Sequence, residues 1–250
     1  MEMCRIYCQI CNFHSEICQF YQKKAVQLGT LRFDPLSPHG STGTINTAQV
    51  LLPDSGVVFV APHLRVLHVS SDLYFIDEEL RYNLFFGQGQ EEISATDWER
   101  AIRICERVKF PERLMSFVRS ESSTLHHMTN NAATLSRSDR SLLHFTRAFI
   151  NNPEVLVIHN PTLLLDAQLQ QPLLDALRAF VDERGLEMPP ETRHKRRMRT
   201  VIFSTNTLHG LKIADKFLLC QDQKVRLVTS QHINELFTSW DHRLELDHLV

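Results

Sequence analysis

The sequence has no long run of apolar residues. Its longest runs, residues 57–62 and 155–158, are far shorter than the roughly 20 residues that cross a bilayer, so we predict no membrane-spanning helix. At the N-terminus charged and polar residues interrupt the apolar ones, whereas a secretory signal has a basic start and then an uninterrupted apolar core. The sequence therefore predicts a cytoplasmic protein with no membrane span of its own.

An excess of charge of either sign is also missing. The 27 Lys and Arg residues against 29 Asp and Glu residues give a formal net charge of −2, so no overall field predicts nucleic acid or an anionic membrane as a required partner. One local exception is the basic run RHKRRMR at residues 193–199, which follows Pro189 and Pro190. This position favours a solvated loop, with a nuclear-import signal or an anionic-lipid patch as the alternative.

Four of the six cysteines lie near the N-terminus, at Cys4, Cys8, Cys11 and Cys18, with His14 among them. Cys8 and Cys11 have the two-residue gap of a zinc knuckle, but a structural zinc site needs a second pair at comparable spacing. Reduced and packed thiols are therefore favoured, and a zinc site is the alternative.

The chain is long enough, with 250 residues of which 43% are hydrophobic, to bury a sizeable core. In its second half, helices predicted over residues 140–150 and 168–183 alternate with strands over residues 155–158 and 200–204. Strands that are apolar throughout and separated by helices indicate a parallel sheet covered on both faces. The predicted fold class is therefore α/β.

The remaining elements are predicted from local patterns. We predict helices over residues 21–31 and 95–108, the second capped by Thr96 and Asp97, and a terminal helix from residue 231. Strands are predicted over residues 57–60 and 66–69, and a hairpin-like pair of strands over residues 214–230. A loop is predicted over residues 34–44.

Seven fragments follow one another in an order that is difficult to obtain by chance: LRFDP, GTI, HVSSD, LSRSDRSLLHFTRAFINNP, VLVIHNPT, LLLD and TVIFSTN. This order resembles the nucleotide-binding domain of ABC transporters. In that family a phosphate loop and its helix, a glutamine loop, the signature motif, the Walker B strand, the D-loop and a switch histidine succeed one another. An unrelated α/β domain with a coincidental order is the alternative.

The resemblance implies a P-loop NTPase-like fold with a mostly parallel sheet flanked by helices. It implies a degenerate ABC-type domain over residues 16–237, with a helical subdomain at about residues 90–135 and a reduced N-terminal β-subdomain. On this division we expect residues 1–15 to be an N-terminal lead and residues 238–250 a C-terminal tail. Residues 72–87 also resemble the exporter-type segment that lies against the membrane domain.

The phosphate loop implied by the resemblance falls at residues 17–24, ICQFYQKK. Lys23 takes the place of the loop lysine, but Ile17 and Gln22 replace its two glycines and Lys24 replaces the hydroxyl that binds magnesium. Two alternatives remain: residues 40–47, which lack a lysine, and the absence of any phosphate loop.

At four positions to which the resemblance assigns a role in catalysis, the catalytic residue is replaced by one unsuited to that role. They are Ser71 for the glutamine-loop glutamine, His159 for the carboxylate that holds magnesium, Asn160 for the catalytic glutamate and Asn206 for the switch histidine. A nitrogen ligand suits magnesium poorly, and an amide cannot accept a proton.

The signature motif is intermediate between intact and lost. Leu135 and Ser136 are retained, Arg137 and Ser138 replace glycines whose backbone approaches a phosphate, and Asp139 closes the motif. We expect Arg137 to block a phosphate or to face solvent; supplying charge to the phosphate is the alternative. Asp166 is the implied D-loop aspartate.

The resemblance implies a degenerate ATP-binding domain that does not hydrolyse ATP, with ATP and magnesium as cofactors only by family likeness. Implied partners are a second ABC-type domain or a membrane-spanning transporter subunit, which would place the chain at the cytoplasmic face of a membrane; no nucleic acid is expected. A half-site subunit that lends its signature face to an active partner is one alternative, and a scaffold protein on the same fold is another.

An enzyme of unrelated chemistry is not supported by the sequence. No Ser/His/Asp set or pair of carboxylates can be assigned to one site, and the histidines are scattered along the sequence: His63, His68, His126, His127 and His159.

Overall fold

The structure, a computed structural model, describes residues 5–11, 26–28, 31–33, 62–69, 73–76, 80–86, 93–119, 135–205, 208–221, 224–229 and 231. The chain divides into two compact units. The first comprises Met1–Cys4 and Pro62–Val201, and the second comprises Arg5–Ala61 and Ile202–Val250.

The strands and helices are numbered here in chain order. The strands are β1 Arg5–Cys11, β2 Val26–Leu28, β3 Leu31–Phe33, β4 Val66–Val69, β5 Val155–His159, β6 Thr200–Thr205, β7 Lys216–Gln221 and β8 Lys224–Val228. The α-helices are α1 Leu80–Leu84, α2 Ala95–Arg107, α3 Glu112–Arg119, α4 Arg137–Asn151, α5 Ala167–Asp182 and α6 Leu208–Lys212, and a 3-10 helix spans Pro190–Lys195.

In the first unit, β4 and β5 pair in parallel, with Val66 opposite Val155 and Val69 opposite Ile158. The first four residues of β5 are fully buried, as an apolar strand covered on both faces requires. The rings of Phe149 in α4 and Phe180 in α5 lie 5.6 Å apart between centroids. The prediction of parallel strands packed between helices is confirmed.

Helix α2 begins at Ala95, as the sequence predicted, but its cap is a different residue. Ser94 is the N-cap: its Oγ accepts from the backbone N–H of Asp97 at 3.1 Å, and the Asp97 carboxylate accepts from the backbone N–H of Ser94 at 3.3 Å. The predicted cap at Thr96 and Asp97 was wrong, because the carboxylate of Asp97 reaches back three residues to complete a capping box.

In the second unit the strand order is β6-β1-β7-β8. β1 pairs with β7 in parallel, and β7 pairs with β8 antiparallel, which confirms the predicted hairpin. No strand was predicted within residues 1–20. Cys8 and Cys11 both lie inside β1 rather than in the tight turn of a zinc knuckle, so the backbone does not support the zinc alternative.

The predicted helix over residues 21–31 was wrong. Val26–Leu28 and Leu31–Phe33 are instead two short antiparallel strands, β2 and β3. The reduced N-terminal β-subdomain remains a prediction. The predicted domain limits at residues 15, 16, 237 and 238 and the strand over residues 57–60 lie outside the described residues and remain predictions.

The basic run is not a solvated loop throughout. Its first three residues end the 3-10 helix Pro190–Lys195, and Arg199 is only 4% exposed. Arg199 donates to the side-chain oxygen of Asn152 at 3.0 Å and lies 3.7 Å from the carboxylate of Glu154.

None of the described helices is both long and apolar enough to cross a membrane.

Candidate functional site

The signature residues form the start of helix α4. Ser136 is its N-cap, and the Ser136 Oγ accepts from the backbone N–H of Asp139 at 3.1 Å and donates to the Asp139 carboxylate at 2.8 Å. The carboxylate in turn accepts from the backbone N–H of Ser136 at 3.0 Å. Ser136 and Asp139 therefore satisfy one another in a capping box.

Asp139 places a negative charge at the N-terminus of α4. Its side chain is 1% exposed and lies 2.5 Å from the guanidinium of Arg113 in α3. A helix N-terminus attracts anions because its first N–H groups and its dipole are positive there. At the N-terminus of α4 the Asp139 carboxylate already occupies the position that an anion would take.

Ser138 holds the turn that contains Asp166, the predicted D-loop aspartate. It is 4% exposed, and its Oγ accepts from the backbone N–H of Asp166 at 2.7 Å. Asp166 is the N-cap of α5 but makes no side-chain cap hydrogen bond. Arg137 is exposed, and Leu135 is partly exposed. The hydroxyl that replaces a signature glycine thus fixes a neighbouring turn.

His159 and Asn160 stand at the end of β5. Asn160 follows the strand with φ of 45°, a left-handed conformation that asparagine tolerates better than most residues. Both residues line a cavity of about 20 Å³, together with Ser141, His144 and Phe145 of α4. This volume holds about one water molecule. The two residues that the sequence assigned to Walker B are together, and neither is an acid.

Two histidines, His144 and His159, line this cavity, and a third, His68, interacts electrostatically with both of them. Burial lowers the pKa of His68, and His159 lowers it further. Burial also lowers the pKa of His159, and burial, Arg147 and His68 together lower that of His144 to about 4. The Nδ1 atom of His144 is buried without a hydrogen-bond partner. Burial therefore favours the neutral form of all three side chains.

The view that the histidines are scattered was wrong for His68 and His159. His68 pairs with Val157 in the parallel register, two residues before His159, so both point to the same face of the sheet. His144 and Arg113 were missed, since nothing in their local sequence marks them. Within the described residues, no three His, Cys, Asp or Glu side chains are arranged to hold a metal ion.

Several predicted site residues lie outside the described residues. These are Ile17, Gln22, Lys23 and Lys24 of the phosphate loop, Ser71 and Asn206. His63 is exposed, and His126 and His127 also lie outside the described part of the chain.

Solved structures share this fold. A metal-chelate-type ABC transporter in an inward-facing conformation matches with a TM-score of 0.54, over 93% of this chain and 75% of that chain. The ATP-binding cassette MJ0796, a dimer in a post-hydrolysis state with ADP and phosphate bound, matches with a TM-score of 0.57, over 90% of this chain and 84% of that one. The fold is that of an ABC-type ATP-binding domain.

The likeness lies in the backbone rather than in the sequence. Identity to each of these two structures is 15%. Neither a protein-family model nor a curated protein sequence matches the chain. The fold implied by the sequence fragments is thus confirmed as a fold, and the chemistry of the site rests on this chain's own residues.

Proposed function

We propose that this chain is an ABC-type ATP-binding domain that does not hydrolyse ATP and acts by binding a partner. One observation carries the proposal: the end of β5, which corresponds by its motif to the Walker B strand, bears His159 and Asn160 and no carboxylate. Magnesium is a hard cation that prefers oxygen ligands, and an amide can orient a water but cannot take its proton.

Hydrolysis should be absent from the purified protein. With magnesium and ATP, we expect phosphate release at the rate of buffer alone, since removing a catalytic base or a phosphate-charge stabiliser typically costs about 10²–10⁴ in rate. A colorimetric phosphate assay measures this. Release above background that disappears in Asn160→Ala would show that Asn160 takes part in turnover and that the proposal is wrong.

The phosphate loop is the second support. In P-loop proteins this loop runs from the end of a strand into a helix. β1 ends at Cys11, and residues 12–24, which include the predicted loop, contain no glycine. Without glycine the backbone cannot readily adopt the positive φ angles that turn its N–H groups toward a phosphate.

ATP binding should accordingly be weak. We expect saturating Mg-ATP to change the melting temperature little, because stabilisation by a ligand depends on its concentration relative to its dissociation constant. Differential scanning fluorimetry over a series of ATP concentrations tests this, with Lys23→Ala as the matched variant. A clear, concentration-dependent rise that Lys23→Ala abolishes would contradict the loss of the loop.

The half-site alternative is less well supported by the signature helix. A partner's nucleotide would have to bring its phosphate to an N-terminus at which Asp139 already lies 2.5 Å from Arg113. The Asp139 carboxylate and the phosphate would repel each other, and the Ser136 hydroxyl already donates to Asp139 rather than to a phosphate. This end of α4 is therefore built to be stable by itself.

An aromatic surface supports the binding role. Tyr74, Tyr82 and Phe86 are 75%, 37% and 52% exposed, in the segment that resembles the part of exporters facing the membrane domain. Arg147 lies over the rings of Phe75 and Phe86, at 5.2 and 5.5 Å from their centroids. Exposed aromatic residues beside an arginine are typical of protein interfaces. We assign this aromatic surface to a membrane-spanning transporter subunit, which would hold the chain at the cytoplasmic face of a membrane.

A further inference from the structure

The basic run after α5 is held in a fixed conformation by its own arginines. Arg193 donates to the backbone carbonyl of Asp182 through Nε, at 3.1 Å, and through its terminal nitrogen. Arg196 donates to the carbonyls of Glu183 at 2.9 Å and Arg184 at 3.1 Å. These bonds satisfy carbonyls at and just beyond the C-terminus of α5, where cations are favoured.

Three cationic side chains of the run are also exposed to solvent, although Arg193 and Arg197 donate to backbone carbonyls, those of Asp182 and His63. Arg193, Lys195 and Arg197 are exposed, and we refer to these three residues as the basic surface. The nearby carboxylates of Glu183 and Glu187 are paired with Arg107 of α2, and that of Asp182 is paired with Arg178. Glu191, which is exposed on the same 3-10 helix, offsets one of the positive charges and leaves the surface cationic. A rigid and locally cationic surface therefore lies on a chain whose overall charge is close to zero.

We propose that the basic surface binds an anionic lipid membrane. Clusters of Lys and Arg at a protein surface bind the negative cytoplasmic leaflet through summed electrostatic attraction, without a pocket. The backbone bonds of Arg193 and Arg196 lower the entropy cost of presenting these charges together.

A lipid surface fits these residues better than nucleic acid does. Proteins that bind single strands stack bases on aromatic side chains. The described exposed aromatic residues, Tyr74, Tyr82, Phe86 and Phe117, belong to other elements than the 3-10 helix. Exposed Pro189 and Pro190 precede the basic surface instead, so the surface offers charge without a stacking platform.

Co-sedimentation with vesicles tests the proposal. The wild-type protein should sediment with vesicles of phosphatidylcholine containing about 30% phosphatidylserine, and not with phosphatidylcholine alone. Raising the salt from about 0.1 M to about 0.5 M should release it, because counterions screen exposed charges. Binding of equal strength to both kinds of vesicle would overturn the proposal.

Matched lysine variants assign the binding to this surface. Lys195→Ala should weaken partitioning about fivefold, the expected contribution of one surface cation, whereas Lys195→Arg should bind as the wild type does. Lys212→Ala removes an exposed lysine at the end of α6 and is the control; it should bind normally. Unchanged binding of Lys195→Ala would overturn the assignment. Displacement of the protein from vesicles by an oligonucleotide, at a nucleotide phosphate concentration equal to the lipid phosphate concentration, would also overturn the assignment. The partner would then be nucleic acid.

The outcome is separate from that of the proposed function. The basic surface contains no residue of the site at β5 and α4, and vesicle binding requires no nucleotide. Failure here would leave the hydrolysis and ATP-binding results unaffected, and the reverse also holds.

Discussion

Replacing Glu154 by alanine should lower the free energy of unfolding by about 3 kcal/mol, the typical loss when one partner of a buried ion pair is removed. Glu154 is 6% exposed and its carboxylate accepts from the backbone N–H of Arg65 at 3.0 Å and from the Arg65 Nε at 3.1 Å. It also faces Arg199, which is 4% exposed. The variant leaves the Arg199 charge buried without its carboxylate.

Urea unfolding of the purified protein measures the loss. Glu191→Ala is the matched control, because Glu191 is exposed on the 3-10 helix, and we expect a change within about 0.5 kcal/mol. A Glu154→Ala protein as stable as the wild type would mean that Asn152 and the backbone satisfy Arg199 by themselves.

The same carboxylate predicts a dependence on pH. Burial raises the pKa of Glu154, but the hydrogen bonds from Arg65 and the charges of Arg65 and Arg199 outweigh it and hold the pKa below its ordinary value of 4.5. The unfolded chain therefore binds a proton before the folded chain does as the pH falls. The contribution is complete above pH 4.5 and is lost below it, so the difference between wild type and Glu154→Ala should shrink in acid.

Elements with a strong local pattern were predictable. The helices α2, α4 and α5 carry apolar residues at helical spacing, and β5 is apolar over its first four residues. The order of motifs added to these patterns, because two of the quoted fragments contain α4 and β5. Local patterns and motif order together were sufficient for the fold class.

Elements that depend on distant pairing were not predictable. β1 lies between β6 and β7, both about 200 residues later in the chain, so the alternation in RIYCQIC has no local partner that would mark it as a strand. β2 and β3 are three residues each, too short for a periodic pattern to distinguish them from a helix.

The contacts of the candidate site were likewise hidden in the sequence. Arg113 meets Asp139 from another helix, and Ser138 meets Asp166 across 28 residues. Arg199 looked like one more charge of a solvated run, because Glu154 lies in a different element. The positions of motif residues can be identified in a sequence, but the side chains that contact those residues are known only from the folded structure.

The double change His159→Asp with Asn160→Glu should restore no activity and should lower stability. It supplies a magnesium ligand and a base, but residues 12–24 still lack the glycines of a phosphate loop. It also places two carboxylates side by side, beside a small cavity and at a backbone with φ of 45° that glutamate adopts less readily than asparagine. We expect a loss of about 2 kcal/mol, or roughly 4–8 °C in melting temperature.

A neutral double variant isolates the charge. His159→Asn with Asn160→Gln makes similar changes in size without carboxylates and should melt above the charged variant at pH 8. The difference in melting temperature between the two variants should narrow toward pH 6, because the introduced carboxylates favour protonation of His68 and His144, whose pKa values are lowered in the wild type. The wild type should show the opposite trend. Its His144 binds a proton only near pH 4, whereas the same residue in the unfolded chain does so near pH 6.5, so stability is lost as the pH falls through that window.

One result would contradict the repair prediction. If Mg-ATP stabilised the charged double variant and the variant began to release phosphate, the phosphate loop would be functional, and the chain would be an enzyme silenced by two substitutions.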